Sequence, residues 1–343
     1  MKALQLSKVG LLEYVDVPQP EVRPQEVLVR VRACGICGSD VHGVDGSTGR
    51  RIPPVIMGHE ASGDVVAIGS EVDGWREGDR ITFDSTVYCG SCRFCKRGLI
   101  NLCDNRRVLG VSCADYRQNG AFAEFVAVPA RLLYRLPAGV SYAQAALVEP
   151  LSVAAHAYAR ASVEADTSVV VVGCGIMGLL IIQLLRAGGV ANVIGVDVDP
   201  YRLDRAAGMG AKSTFNSATD DVLGSVREVT DGRGADVVYE AVGIAATVKL
   251  GVDLLDKNGT IVLVGNLADS VNLPLQWVVT RQLALAGSAA SSGEYPESID
   301  LIARHSVDVD SLISAVAPLR EGSEWFRRLG ANTEHLLKVV LEP

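Results

Sequence analysis

The residues most able to do chemistry lie in two clusters. Half of the chain's eight cysteines fall between Cys89 and Cys103, in the order Cys89-Gly-Ser-Cys92-Arg-Phe-Cys95, seven further residues, and Cys103. Two overlapping C-x-x-C steps and a fourth cysteine suit a tetrahedral, all-thiolate zinc site. The competing reading is two disulfides, which belongs to small secreted domains; this chain has 343 residues and no apolar leader after Met1-Lys2-Ala3. Zinc is therefore expected on Cys89, Cys92, Cys95 and Cys103. A four-cysteine site has no open ligand position, so its role is structural. Its neighbour is different: Cys37-Gly-Ser39-Asp40-Val-His42, then Gly58-His59-Glu60, then Glu149-Pro150 much later. A cysteine, a histidine and carboxylates are the donors of a catalytic zinc that keeps one position for substrate. Asp40 is expected to accept the other ring N–H of His59. Taken singly, a histidine is more often a core or surface residue and a Glu-Pro step a helix terminus; the combination beside a four-cysteine lobe decides for a metal.

A third constellation binds a dinucleotide. Ser168–Val172 is a run of valines that leads into Gly173-Cys-Gly175-Ile-Met177-Gly178, then an apolar helix-like stretch to Ala187 and Gly188-Gly189. A second strand, Asn192–Val196, ends in Asp197. Strand, glycine turn, helix, strand and acid together form the dinucleotide fingerprint, with the pyrophosphate at the helix N-terminus. Gly173, Gly175, Met177 and Gly178 line that turn. Asp197 favours NAD over NADP, because a carboxylate accepts from ribose hydroxyls and repels a 2′-phosphate. Arg202 opposes this as a partner for such a phosphate, unless it pairs with Asp197 or stacks on adenine.

The elements that position these residues change character along the chain. Val27 to Arg32 alternates with a period of two, and Glu60–Gly69 and Gly78–Phe83 are Gly- and Val-rich, as expected for strands and turns of a partly closed β-barrel. Gly120 to Val128 reads as one more strand pair. After residue 168, strands at Ala235–Glu240, Thr260–Val264 and Leu283–Gly287 alternate with a helix at Ala245–Leu255, as in a doubly wound parallel sheet. The last 55 or so residues are too short for a domain and are expected to return to the first one. A net charge of −8 with scattered arginine pairs argues against nucleic acid. No apolar run approaches the ~20 residues of a membrane span, and a cytoplasmic, reducing location is expected. Cys34, Cys113 and Cys174 read as small buried hydrophobes. Arg50 and Arg51 read first as a solvated loop, and second as a place to meet a sugar acid or sugar phosphate.

These motifs, from Gly35-Ile-Cys37-Gly-Ser39-Asp40-Val-His42 through Gly58-His59-Glu60, the cysteine lobe, Glu149-Pro150-Leu-Ser-Val and Gly173–Gly178 to Asp197 with Arg202, span the whole chain. Over that length the chain resembles the zinc-containing medium-chain alcohol dehydrogenases, in particular the sorbitol/polyol and threonine dehydrogenase branch. The resemblance implies an α/β protein: a GroES-like, partly closed β-barrel catalytic domain interrupted by a Rossmann domain. The implied boundaries are 1–151 for the catalytic domain, 152–288 for the Rossmann domain and 289–343 for the return. It implies Cys37, His59 and Glu60 as resting ligands of the catalytic zinc. Glu149 either binds that zinc or holds water beside it. It implies Ser39 and His42 as a proton relay, and backbone of Val264, Gly265 and Asn266 against the nicotinamide. The cofactors are then NAD and two zinc ions per chain, and the assembly a homotetramer or homodimer.

Two departures bear on substrate. Sorbitol dehydrogenases carry an Arg-Tyr pair where this chain has Gly287-Ser-Ala-Ala-Ser291, and many have an aromatic where this chain has Gly43. Threonine dehydrogenases carry a histidine at the position of Thr86. The expected reaction is hydride transfer from a secondary alcohol of a polyol, sugar or sugar acid to NAD. Threonine 3-dehydrogenation or general secondary-alcohol oxidation are the alternatives. A zinc-free quinone reductase and a non-catalytic zinc- and nucleotide-binding protein are the remaining classes, and the full ligand set argues against both.

Overall fold

The computed structural model describes residues 1–343 and divides them into two compact units, Met1–Pro150 with Tyr295–Pro343, and Leu151–Glu294. The first unit is built on a seven-stranded sheet. Its order is Leu133–Arg135, Arg80–Phe83, Glu60–Ile68, Glu26–Gly35, Lys338–Glu342 and Ile313–Pro318, with Phe125–Pro129 also paired to Glu26–Gly35. All pairings are antiparallel except that of the last two strands, which run parallel. Val27, Val29 and Val31 point into the core while Arg30 and Arg32 face water, the alternation the sequence shows. The core gathers Leu4, Met57, Ile81, Phe83, Phe122 and Leu341 among its members. The segment Ile313–Glu342 thus supplies two strands to this sheet, one of which carries Lys338 to the site.

The second unit holds six parallel strands in the order Ser213–Asn216, Asn192–Asp197, Ser168–Val172, Ala235–Glu240, Leu255–Leu263 and Ala284–Gly287. Ser168–Val172 is buried throughout, as a central strand covered on both faces requires. The strand order reverses beside it, which is where open α/β sheets bind ligands at the carboxyl ends of their strands.

Several local expectations shift. Gly120–Val128 forms one strand, Phe125–Pro129; the stretch before it crosses the core on single backbone bonds, among them Leu4 N–H to Phe122 O at 2.8 Å and Phe122 N–H to Met57 O at 3.0 Å. The glycine-turn helix starts at Ile176, with Gly175 at its N-cap position and no side chain capping it, rather than in the apolar stretch from Leu179. Ser213–Asn216 is a strand that its polar composition conceals. Glu149 sits in the first turn of the helix Val148–Tyr158, with Pro150 beside it where a missing N–H costs nothing.

Candidate active site and metal centres

Strand register assembles the first candidate metal site. Gly35, at the end of its strand, lies opposite Glu60, and Val340 pairs with Gly35 from the other side. Cys37 follows Gly35 at the N-cap of the short helix Gly38–Val44, and His59 immediately precedes the Glu60 strand. One ligand atom each from Cys37, His59 and Glu60 therefore lie within 4.8 Å of one another. A Cβ on Gly35 would stand 2.3 Å from a Glu60 carboxylate oxygen, so glycine there makes the room for the carboxylate.

Charge around the cluster suits a divalent cation. Asp40 is fully buried, with one oxygen 3.3 Å from Nδ1 of His59 and the other paired with Arg51 at 2.7 Å. Burial pushes the Asp40 carboxyl up, but His59 and Arg51 outweigh it and hold it at about 2. Burial works against a charged His59, yet Asp40 and Cys37 raise the ring well above the ordinary histidine range. Burial lifts Glu149 to about 7, with Glu60 and Asp84 adding to the rise and His59 and Lys338 opposing it. The acidic groups Cys37, Asp40, Glu60 and Glu149 thus face only two fixed cations, Arg51 and Lys338, and the field that draws protons to His59 would draw a metal.

Lys338 is a member of this site that composition did not reveal. Its ammonium is 2.7 and 2.9 Å from the two Glu60 oxygens and 3.0 Å from Ile36 O, in full burial. Burial disfavours its charge, but Glu60 and Cys37 more than compensate and raise its pKa. The signal in the sequence is a lysine opening an otherwise apolar strand, Lys338-Val-Val-Leu. Glu149 stands outside the three-residue ligand cluster while sharing its electrostatics.

Ser39 and His42 are exposed on the helix Gly38–Val44. The Ser39 hydroxyl donates to Cys37 Sγ at 3.3 Å and accepts from Arg51 at 3.4 Å. Arg51 departs from expectation: it is buried, tied to Asp40, and so is neither a solvated loop residue nor an open anion site. Its burial follows from the buried carboxylate it neutralises. Arg50 stays exposed.

The second candidate metal site is the cysteine lobe, whose four sulfurs also lie within 4.8 Å of one another. All are free thiols. Backbone N–H groups point at them, Cys92 to Cys89 at 3.4 Å, Cys95 to Cys92 at 3.5 Å and Asn105 to Cys103 at 3.3 Å, the donors that stabilise thiolates. N–H groups of Ser91 and Cys92 hold the Cys89 thiol low, at about 5.

In the second unit, Gly173 has φ +93° and Gly178 packs so closely that a Cβ would lie 1.8 Å from Gly173 O, whereas Gly175 faces open space. Met177 lies in the first turn of the helix that follows. The Asp197 carboxylate accepts from Cys174, Val198 and Asp199 N–H at 2.7, 2.8 and 2.9 Å, which anchors it at the tip of its strand beside the glycine turn. Arg202 pairs with Asp199 at 3.6 Å, a neighbour of Asp197. Val264, Gly265 and Asn266 leave the strand Leu255–Leu263 at its carboxyl end. There Val264 and Gly265 donate to Glu240 O, and the buried Glu240 carboxylate, not singled out in the sequence, accepts from Val242 and Gly243 N–H.

Residues 23–138 match the alcohol dehydrogenase GroES-like domain, and residues 177–304 match the zinc-binding dehydrogenase domain. The chain is 31% identical over 348 residues to sorbitol dehydrogenase of Bacillus subtilis (strain 168), covering 100% of this chain and 97% of that one. The chain belongs to the zinc-containing medium-chain polyol dehydrogenase family. This dehydrogenase is also 33% identical over 336 residues to D-arabitol-phosphate dehydrogenase of Enterococcus avium, covering 96% and 94% of the two chains. A zinc-binding dehydrogenase of Sinorhizobium meliloti 1021, solved with NADP, superposes with a TM-score of 0.91 at 33% identity, over 100% of this chain and 99% of that one. The fold is therefore a GroES-like domain with a Rossmann-like nucleotide-binding domain. No helix is long and apolar enough to cross a membrane.

Proposed function

We propose that this enzyme oxidises a secondary alcohol within a polyhydroxylated small molecule to its ketone, with NAD as the hydride acceptor. The observation that carries the reading is the Cys37, His59 and Glu60 cluster, braced by Asp40 and Lys338, in a chain of this family. Cys37, His59 and Glu60 would hold a zinc ion, which would supply a Lewis acid for the alcohol oxygen, and a bound nicotinamide would supply the hydride acceptor. Asp40 fixes the His59 ring, and Lys338 fixes the Glu60 carboxylate. Glu149, raised to about 7, is able to hold or release a proton near neutral pH. Ser39 and exposed His42 are the proposed path for the alcohol proton. Ser39 must first turn its hydroxyl away from Cys37.

A site with this many carboxylates recognises hydroxyls, and it rejects analogues lacking them because its polar groups would be left unpaired. The relatives act on sorbitol and on D-arabitol phosphate by name. Arg51 is engaged with Asp40, so the pair Arg50-Arg51 offers one exposed cation, and a neutral polyol becomes the preferred class over sugar acids and phosphates. Asp197 at the strand tip supports NAD; the S. meliloti relative with NADP makes the comparison of the two cofactors necessary. A homodimer or homotetramer is proposed on the edge strand Ala284–Gly287 and the exposed Leu275, Trp277 and Val279 near it in sequence, since an open sheet edge with apolar flanks invites pairing with a second copy. Eight free cysteines suit a reducing compartment, and the cytoplasm is the proposed location.

The test is NADH production, with NADPH alongside, over neutral polyols, aldonates, sugar phosphates, inositols, threonine, ethanol, propan-2-ol and benzyl alcohol. A polyol is expected to lead in kcat/KM. A simple alkyl or aryl alcohol in first place would overturn the substrate class, and a preference for NADP would overturn the Asp197 argument.

A further inference from the structure

Arg51 is a buried arginine that the reaction scheme does not use. Its backbone is fixed by a parallel bridge to Ser112, with Ile52 N–H to Ser112 O at 2.9 Å and Ser112 N–H to Arg50 O at 3.2 Å. Its side chain is 4% exposed. Nε and Nη2 both donate to the same oxygen of Asp40, at 3.1 and 2.7 Å, and Nη1 donates to Arg50 O at 3.1 Å. No guanidinium nitrogen is left over for a substrate anion.

The arrangement on Asp40 is asymmetric. Oδ1 takes both arginine bonds, while Oδ2 stands 3.3 Å from His59 Nδ1, and neither of those two atoms has another hydrogen-bond partner. Rotation of the carboxylate would break two charge-assisted bonds. Oδ2 is thereby held toward the imidazole, and the imidazole toward its remaining nitrogen's ligand position. Space for this comes from Gly43, one helical turn after Asp40. A Cβ there would lie 2.4 Å from Arg51 Cγ and 3.2 Å from its Cβ. The direction of a residue 43 side chain is therefore onto Arg51, which gives the missing aromatic at this position a physical reason.

We propose that Arg51 is a positioning residue for the catalytic zinc: it locks the Asp40 carboxylate that aims His59, and Gly43 is the space it occupies. The inference rests on Cys37, His59 and Glu60 being the catalytic zinc ligands. A carboxylate that orients a ligating histidine is worth about 10- to 100-fold in metal affinity or activity. A lysine in place of Arg51 would restore the charge without the fork that grips one oxygen twice.

The experiment uses the full-length, zinc-loaded enzyme and follows zinc release to a chromogenic chelator, together with the visible spectrum of protein carrying Co2+ at the catalytic site. His59→Ala must remove one of two zincs; retention of both would show that the ligand assignment itself is wrong, independently of Arg51. With that control satisfied, Arg51→Met and Gly43→Ala are expected to release the catalytic zinc at least tenfold faster and to shift the cobalt spectrum, with Arg51→Lys between them and wild type. The lobe zinc is expected to leave at its wild-type rate. Should Arg51→Met fail to fold, Gly43→Ala and Arg51→Lys decide the matter. Catalytic-site release within roughly twofold of wild type in the folded variants would overturn the proposal, against the tenfold or more that a positioning role predicts. Equal acceleration at both zinc sites would also overturn it, because it marks general loosening of the fold.

Discussion

Lys338→Met tests the electrostatic reasoning most directly. The substitution keeps a similar apolar stem and removes an ammonium that makes three buried hydrogen bonds, two of them to Glu60. What remains is a carboxylate at 1% exposure, beside Cys37 and His59, without its ammonium partner. Removing one partner of a buried ion pair costs about 3–5 kcal/mol, because the other charge is left uncompensated. For a unit of about 200 residues each kcal/mol lowers the melting temperature by roughly 2–4 °C, so the loss should be roughly 6–20 °C. That figure applies to zinc-stripped protein. With zinc bound on Glu60 a second cation faces the same carboxylate, and the loss should shrink. The assay is thermal unfolding by tryptophan fluorescence in a Trp277→Phe background, so that only Trp75 and Trp325 of the first unit report. A zinc-stripped shift below ~2 °C, where the buried-pair cost demands several times that, would refute the reasoning. So would an equal shift with and without zinc, since the cation at Glu60 would then be doing nothing for that carboxylate.

Further outcomes follow from the second unit. Gly178→Ala should unfold or distort the glycine turn, because its Cβ meets Gly173 O at 1.8 Å, while Gly175→Ala should keep the wild-type melting temperature and lose NADH affinity about tenfold or more, read by fluorescence titration. A Glu294 carboxylate oxygen accepts from His156 Nδ1 at 2.7 Å; burial raises the Glu294 carboxyl, but the His156 hydrogen bond and the Ser292 N–H outweigh it and hold it below the ordinary glutamate value. Because the folded-state value is the depressed one, its stabilisation is present above about pH 4.5 and lost as pH falls further. The melting-temperature gap between wild type and Glu294→Gln should be open at pH 7 and close in acid; a gap that widened in acid would count against the pairing. Leu275→Glu should reduce the assembly size seen by light scattering, and an unchanged mass would remove this face as the contact.

Local chemistry carried much of this protein's character into its sequence. The four valines of Ser168–Val172, the glycine turn and Asp197 lie within thirty residues of one another, so strand, turn and helix are dictated by neighbours along the chain. The cysteine lobe is legible for the same reason: Cys89, Cys92, Cys95 and Cys103 are close enough in sequence that their sulfurs have little choice but to converge. The convergence of Cys37, His59 and Glu60 was legible in type only: a cysteine, a histidine and a carboxylate, with Asp40 nearby, are the residue types that a zinc site and its support demand. Their partners were not. Lys338 reaches Glu60 across 278 residues, through the register of the C-terminal strand with Gly35, and only that register turns a surface-type residue into a buried cation. Arg51 read as a solvated loop residue because composition cannot show that Asp40 is buried without another cation and that Gly43 leaves room for the guanidinium stem. Short-range pattern specifies which elements form and which donors they carry. Which fixed charge neutralises which buried carboxylate depends on contacts between distant strands and loops, and the cost of an unpaired buried charge is what the tertiary structure alone resolves.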